Sequence, residues 1–560
     1  MTKETVDFAK LFKEKKFLHI LSIIDKIAED KKNSGLYNLS GVCKMSLSHS
    51  NESLESAIQD FRKAYKKEKN SPNAFHALKN FINASMIVFD NKFTNNESEI
   101  DQYIFEEILE YYNENKDFFV KDFSSALSII RVFKKILDIE NTVYHLKKIV
   151  EKEKNNTEAL ISLCFHNNYR YDWKQSEYLQ YSKILNEKFH KFSSQDLVNL
   201  KLEKSDKIKL GFLSPDIRQK HSVTYFLRTI LKKYDAEKFQ INLYLNNKIE
   251  DETTNEFKKY VSKTLNITNL SDIEAINEIR DDQLDILFDL SGFSSNHRLT
   301  LLKNRLAPIQ VSWCGYCNTL GIKEVDYLIA DKNLIYENEQ NQYSEKIIYL
   351  SKIWNCHSGY NIKRSKLEIP VKKNNFITFG SFNNFLKIND DVIKVWSLIL
   401  KNVKNSKLIL KSSIPISKKK ILEKFKKNGI INSVEFIEYK KNFEDHLNEY
   451  KNIDIALDTF PWNGVTTSFE AIWMGVPVIT MKGFNFNSRC GESINHNLGF
   501  DNLIADNQQD YVQKATSLAE NNKDLKEVRD QIFKDALLSP LFNTKNFSSD
   551  FFSTLEKLYN

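Results

Sequence analysis

Over residues 1–200 apolar positions recur at the three-and-four spacing of amphipathic helices, and Pro and Gly are scarce. Polar turns alternate with these apolar stretches, which predicts a helical domain built of hairpins. Ala57, Phe61 and Ala64 fall at the spacing of the second helix of a hairpin repeat of about 34 residues. Leu39 and Gly41 suit its first helix and Pro72 its closing turn, with small insertions relative to the consensus. Residues 5–32 and 73–93 read as degenerate partial copies, and Leu160–Phe192 as a helical segment capping the array.

At Lys207 the period shortens. KIKLGFLS, FQINLYL, LDILFDLSG, IQVSWC, VDYLIAD and KIIYL read as short buried strands, each followed by a turn and often a helical stretch. A polar gap at Asn355–Asn375 precedes a second block, FITFGSF, KLILKSS, VEFIEYK, DIALDTF and VPVITMK. The alternation predicts parallel sheets covered by helices. The expected order is a helical domain over 1–200, a Rossmann-like lobe over 205–370, a second over 374–540, and a C-terminal helix within 541–560. Tandem lobes of this kind hold a ligand in the cleft at the carboxyl ends of their strands.

Composition narrows the function classes. The chain has 560 residues and a net charge of +7, but Lys and Glu/Asp are interspersed, which suits a solvated surface and not a nucleic-acid stripe. Of six cysteines only Cys314 and Cys317 form a CxxC, and no pair stands at zinc spacing. The opening MTKETVDFAKLFKEKK lacks an apolar leader core, and no run reaches membrane-spanning length. These features predict a cytoplasmic, reduced protein.

The richest chemistry lies in Asp454–Gly475. A strand over Ile453–Thr459 leads through a breaker cluster, Phe460 to Gly464, into a helix opening on Thr466 and Thr467. Free N–H groups at such a helix start attract a phosphate, and the two threonines can add hydroxyl donors. Glu470, one turn on, could accept from ribose hydroxyls; the alternative is a capped helix after a core strand. Lys387 stands where FGSFNNFLKI passes from strand to helix, and reads as a pyrophosphate contact or a solvated lysine. In the first lobe Ser214-Pro215-Asp216 ends a strand and His221 follows in the next loop, placed for acid, base or sugar contact or for a helix cap. Asp289 to Gly292 ends another strand at the same edge. Cys314 and Cys317 read as a packed loop.

Taken together, SPDIRQKHSV, DLSGFSSNHRL, RLAPIQVSWCGYCNTLG, VDYLIAD, YSEK, FGSFNNFLKI, DIALDTFPWNGVTTSFEAIWMGVPVIT, SRCGESI and SPLFNTKNF resemble, in order and spacing, the O-linked N-acetylglucosamine transferase and SPINDLY proteins, glycosyltransferase family 41. The resemblance runs from about residue 205 to the end, and tetratricopeptide-like repeats ahead of it suit the same family. It implies a two-lobed GT-B fold and inverting sugar transfer from a nucleotide sugar without a metal. It also implies a donor-phosphate role for Lys387, donor contacts from Asn384, Thr466 and Thr467, a ribose contact from Glu470, and an active-site role for His221. The general base stays open between His221, a donor phosphate oxygen and a water chain.

The chain departs from the family pattern in three places. Val465 stands where animal members carry a histidine on the uracil base, Cys317 replaces a proline, and Phe293-Ser294 replaces His-Thr or Tyr-Thr. The expected donor is UDP-N-acetylglucosamine and the acceptor a protein Ser or Thr presented by the repeats. GDP-fucose, glucosyl transfer to Asn, and a non-catalytic repeat scaffold are the alternatives.

Overall fold

The computed structural model describes residues 6–47, 50–69, 71–94, 102–189, 200, 202, 205–366, 368–412, 414–440 and 442–560. The end of the expected helical segment Leu160–Phe192 and the first five residues lie outside these. The chain forms two compact units, Met1–Lys154 with Ile414–Lys420, and Asn155–Ser413 with Ile421–Asn560. The helical domain expected over 1–200 therefore ends earlier, after Lys154.

In the first unit, Ser34–Leu47 and Asn51–Lys67 form the expected hairpin. Ala57, Phe61 and Ala64 are fully buried. Gly41 is needed there, since a Cβ at that position would stand 2.5 Å from the Phe61 ring. Pro72 does not close the repeat. It opens the helix Pro72–Thr94, where its missing N–H costs no intrahelical bond. Helices Gln102–Glu114, Phe123–Lys135 and Ile139–Lys152 continue the unit. Phe61, Phe81, Phe105 and Phe133 fill its core, which Ile416 joins.

The second unit holds two parallel sheets. The first contains β1 (Ile208–Ser214), β2 (Phe239–Leu245), β3 (Lys263–Asn266), β4 (Ile286–Asp289), β5 (Ile309–Ser312), β6 (Tyr327–Ala330) and β7 (Lys346–Tyr349), in the order β3-β2-β1-β4-β5-β6-β7. The second contains β8 (Thr378–Ser381), β9 (Lys407–Lys411), β10 (Val434–Ile437), β11 (Ile455–Leu457), β12 (Val478–Met481) and β13 (Ile504–Ala505), in the order β10-β9-β8-β11-β12-β13. β4 and β5 are buried throughout, as strands covered on both faces must be. In each sheet the order of strand addition reverses beside the first strand, between β1 and β4 and between β8 and β11, which opens a crevice at the carboxyl ends.

Two expectations change. The strand expected over Ile453–Thr459 keeps only Ile455–Leu457. Asp454 turns its carboxylate onto the N–H groups of Val371 and Thr378, at 3.0 and 2.9 Å. The gap expected to be polar begins buried, with Asn355, Cys356 and His357 fully enclosed. The C-terminal helix, Thr544–Tyr559, packs on the first lobe, where Phe551 meets Trp313 at 4.9 Å and Phe552 meets Phe239 at 4.8 Å between ring centroids.

Helices Thr157–Asn167 and Gln175–Lys188 belong with these lobes through buried amides. Gln175 donates to Asn318 Oδ1 at 2.7 Å and accepts from Asn485 at 2.9 Å. Asn168 donates to the Tyr316 hydroxyl at 3.0 Å and accepts from Asn318 at 3.0 Å. Asn318 is on the first lobe and Asn485 on the second, so the hairpin joins both.

Candidate functional site

The crevice of the second sheet begins where β8 stops at Ser381. Asn384 caps the short turn Phe385–Lys387 by accepting from Leu386 N at 3.0 Å, and its side chain is exposed. That turn carries Lys387, and the following helix, Asp390–Asn402, starts only after the cap Asn389. Lys387 Nζ reaches across to the loop after β11, donating to the Asn463 carbonyl at 2.7 Å and lying 5.2 Å from the Trp462 ring centroid. Desolvation holds its pKa below the usual lysine value, offset in part by Asp458.

Asp458 follows β11 and is 1% exposed. Its Oδ1 accepts from Thr459 N at 2.8 Å and Gly464 N at 2.6 Å, and its Oδ2 from the Thr480 hydroxyl at 2.8 Å. Burial pushes its pKa up to about 6 against these bonds and Lys387. The carboxylate thus shapes the loop that ends at Gly464. There a Cβ would come within 2.5 Å of Thr467 Oγ1 and 2.9 Å of Asn383 Oδ1.

The helix Thr466–Trp473 begins beyond this loop with Val465 at its cap position, and Val465 offers no side-chain cap. Among the described residues, the backbone N–H groups of Thr466 and Thr467 have no hydrogen-bond partner. The helix start is open to an anion, as expected, but the hydroxyls are not equivalent. Thr467 donates to Asn383 Oδ1 at 3.0 Å, so Thr466 alone keeps a hydroxyl without a described partner. Glu470 is 5% exposed and is already bonded, its Oε2 lying 2.9 Å from His446 Nε2 and accepting from the Tyr450 hydroxyl at 3.1 Å.

In the first sheet His221 caps the helix Ser222–Leu231 through its carbonyl and not its ring. Nε2 lies 3.3 Å from Asp216 Oδ1, and Nδ1 is buried with no partner among the described residues. Desolvation, with help from Arg218, lowers its pKa to about 4, so the imidazole is neutral at pH 7. At the end of β4, Asp289 accepts from Ser291 Oγ at 2.9 Å and Gly292 N at 2.8 Å.

Two helices connect the crevices. Ser222–Leu231 and Thr466–Trp473 each open at a site residue, and they pack through Phe226 and Phe469, ring centroids 5.4 Å apart. The structure therefore gathers Lys387, Thr466, Thr467 and Glu470 on one crevice and sets His221 at the head of the helix packed against it. Sequence reasoning passed over Asp458, Asn463, Trp462, His446 and Tyr450. Asp458 alone carried a signal, as a carboxylate closing an apolar strand. Cys314 and Cys317 are unpaired thiols. Among the described residues no three His, Cys, Asp or Glu side chains gather as a metal site, and no helix is long and apolar enough to cross a membrane.

Comparison with known proteins bears on the family and the fold. The profile of Glycosyl transferase family 41 matches residues 174–361 and 361–551. A probable UDP-N-acetylglucosamine–peptide N-acetylglucosaminyltransferase SPINDLY of Eustoma exaltatum subsp. russellianum is 34% identical over 362 residues, 63% of this chain and 39% of that protein. The protein of the same name from Solanum lycopersicum is 32% identical over 359 residues, 62% of this chain and 38% of that one. The matched stretch thus spans about two-fifths of the length of these curated relatives. Among solved structures, a mutant O-GlcNAc transferase of Thermobaculum terrenum superposes with a TM-score of 0.75 at 21% identity, covering 97% of this chain and 98% of that one. That likeness extends the shared fold, helices followed by a GT-B pair of lobes, over nearly the whole length. On the family profile and the two crevices, the chain belongs to glycosyltransferase family 41.

Proposed function

We propose that this protein transfers a sugar from a nucleoside diphosphate donor to a hydroxyl of a protein acceptor, with inversion and without a metal. The observation that carries the reading is Lys387, a desolvated ammonium on the Asn463 carbonyl, beside an uncapped helix start with two unbonded N–H groups. Departure of the diphosphate builds negative charge there. A fixed cation and fixed N–H donors stabilise that charge without reorganising water. Thr466, Thr467 and Asn384 complete the donor contacts, and Glu470 takes the ribose. His221, neutral at pH 7, serves the acceptor side, and the helical repeats present the acceptor.

The favoured donor is UDP-N-acetylglucosamine, in line with the names of the plant relatives. One observation favours GDP-fucose instead. Val465 puts an aliphatic side chain at the helix cap, so no ring from that position stacks on uracil.

Calorimetric titration of UDP and GDP into the wild type and Lys387→Met tests the reading. Tight UDP binding lost in the variant supports it, and a GDP preference moves the donor to fucose. Absence of binding by either nucleotide overturns it in favour of a scaffold.

A further inference from the structure

The Glu470 carboxylate has a built support behind it. Lys411, the last residue of β9, lies with Nζ 2.7 Å from His446 Nδ1. His446, in the helix Phe443–Asn448 that follows β10, lies with Nε2 2.9 Å from Glu470 Oε2. An ammonium can only donate, so Nδ1 is the acceptor and Nε2 carries the proton that points at Glu470. Tyr450 donates its hydroxyl to the same Oε2 at 3.1 Å and lies 3.1 Å from the Thr467 carbonyl. Lys411, His446, Tyr450 and Glu470 are all nearly enclosed, at 7, 8, 2 and 5% exposure.

Both described bonds fall on Oε2. Among the described residues Oε1 has no hydrogen-bond partner, and it belongs to a side chain one turn below the helix start at Thr466. Nucleotide-binding half-folds commonly hold the ribose with an acid near the second strand. Here the second strand, β9, ends in a lysine, and the acid comes from the helix after the fourth.

We propose that Lys411, His446 and Tyr450 are positioning residues that fix Glu470 with Oε1 presented to the ribose diol of the donor. This rests on the reading of the second lobe as the donor site. His446 transmits the lysine's donor to the carboxylate, and Tyr450 prevents rotation about the terminal torsion. A carboxylate held in this way makes its sugar bonds without first being ordered, which adds to affinity for donors that carry the diol. It adds nothing for donors that lack it.

The test is calorimetric binding of UDP and 2′,3′-dideoxy-UDP, with GDP and 2′,3′-dideoxy-GDP in parallel, to the wild type, His446→Leu and His446→Gln. The wild type should prefer the ribonucleotide by about tenfold, the loss expected for hydrogen bonds to a charged group. His446→Leu should lose most of that preference while binding the dideoxy nucleotide as the wild type does. His446→Gln, whose amide can accept from Lys411 and donate to Glu470, should restore it. Equal weakening of both nucleotides in His446→Leu, or a preference that survives it, overturns the positioning role with the donor site intact. A wild type that binds without preferring the ribonucleotide overturns it too. If the wild type binds none of the four, the donor-site reading falls and the inference with it.

Discussion

β4 and β11 are the fourth strands of their respective sheets, and a buried aspartate closes each. Asp289 holds Gly292 N and Ser291 Oγ, while Asp458 holds Gly464 N, Thr459 N and Thr480 Oγ1. After the first strands the two lobes part company. The loop beyond β8 ends in Lys387, bonded to Asn463, and Asn389 caps the next helix with its side chain. The loop beyond β1 ends in His221, which occupies the same cap position but leaves Nδ1 buried and unpartnered among the described residues. The scaffolding is repeated and the chemistry is not. One crevice is set in advance with positive charge, and the other offers a neutral ring with a nitrogen still free to bond. Electrostatic stabilisation requires the first kind of site, and proton transfer or acceptor contact requires the second.

Substitutions can break this contrast. Lys387→Met should cost the most, about 10²–10³-fold in turnover, with an unchanged far-ultraviolet spectrum. Turnover within a few fold of the wild type would remove Lys387 from the chemistry. His221→Ala should lower kcat by about 10²-fold and leave the UDP dissociation constant alone. Loss of nucleotide affinity in place of kcat would assign the first lobe to the donor. Gly464→Ala forces a Cβ against Thr467 Oγ1 and Asn383 Oδ1, and should weaken nucleotide binding about tenfold by undoing that bond. Asp458→Ala and Asp289→Ala should each destabilise the protein by about 1–3 kcal/mol in urea unfolding, since each leaves buried donors unpaired. Only the first should also weaken UDP, and equal effects on binding would erase the distinction between the crevices.

Acidity probes the same difference. The His221 pKa is lowered to about 4, so the unfolded chain binds more protons than the native one between that value and the ordinary 6.5. Stability contributed by this ring is complete above the unfolded value and is lost as pH falls through about 4. His145, also lowered to about 4, and His357, lowered to about 3, act in the same direction. A titration of Tm should therefore fall from pH 6.5 downward, less so in His357→Phe. The part of the rate profile owed to His221 should bend near pH 4 and not near 6.5.

The strand runs were legible because parallel strands buried on both faces are rich in apolar residues, as FITFGSF and VPVITMK are. Lys387, Thr466 and Glu470 stood out by their place at strand-to-helix junctions, and their donor roles came from the family resemblance and not from that placement. What those side chains already touch was not legible. Thr467 spends its proton on Asn383, 84 residues away in sequence but adjacent across β8 and β11, and no periodicity reports such a contact. His446 and Tyr450 read as ordinary positions of an amphipathic segment. The boundary after Lys154 was hidden for a related reason. The apolar faces of Thr157–Asn167 and Gln175–Lys188 have the same spacing whether they bury against a repeat or against a sheet. Only the burial of Asn168 and Gln175, on the inner side of those helices, tells the two apart, and burial is not written in the pattern.

That hairpin has a consequence for how the protein can change over evolutionary time. Tyr169 lies against Trp462 at 4.6 Å between ring centroids, and Trp462 lies beside the Lys387 ammonium. The turn between the helices Thr157–Asn167 and Gln175–Lys188 thus forms part of the lysine's surroundings, although the pair looks like one more repeat. Arrays of stacked hairpins gain and lose units readily, because each contacts only its neighbours. Here that freedom stops at Asn155: the hairpin beyond it lines the lysine's surroundings, so its helices are as fixed in number as the strands.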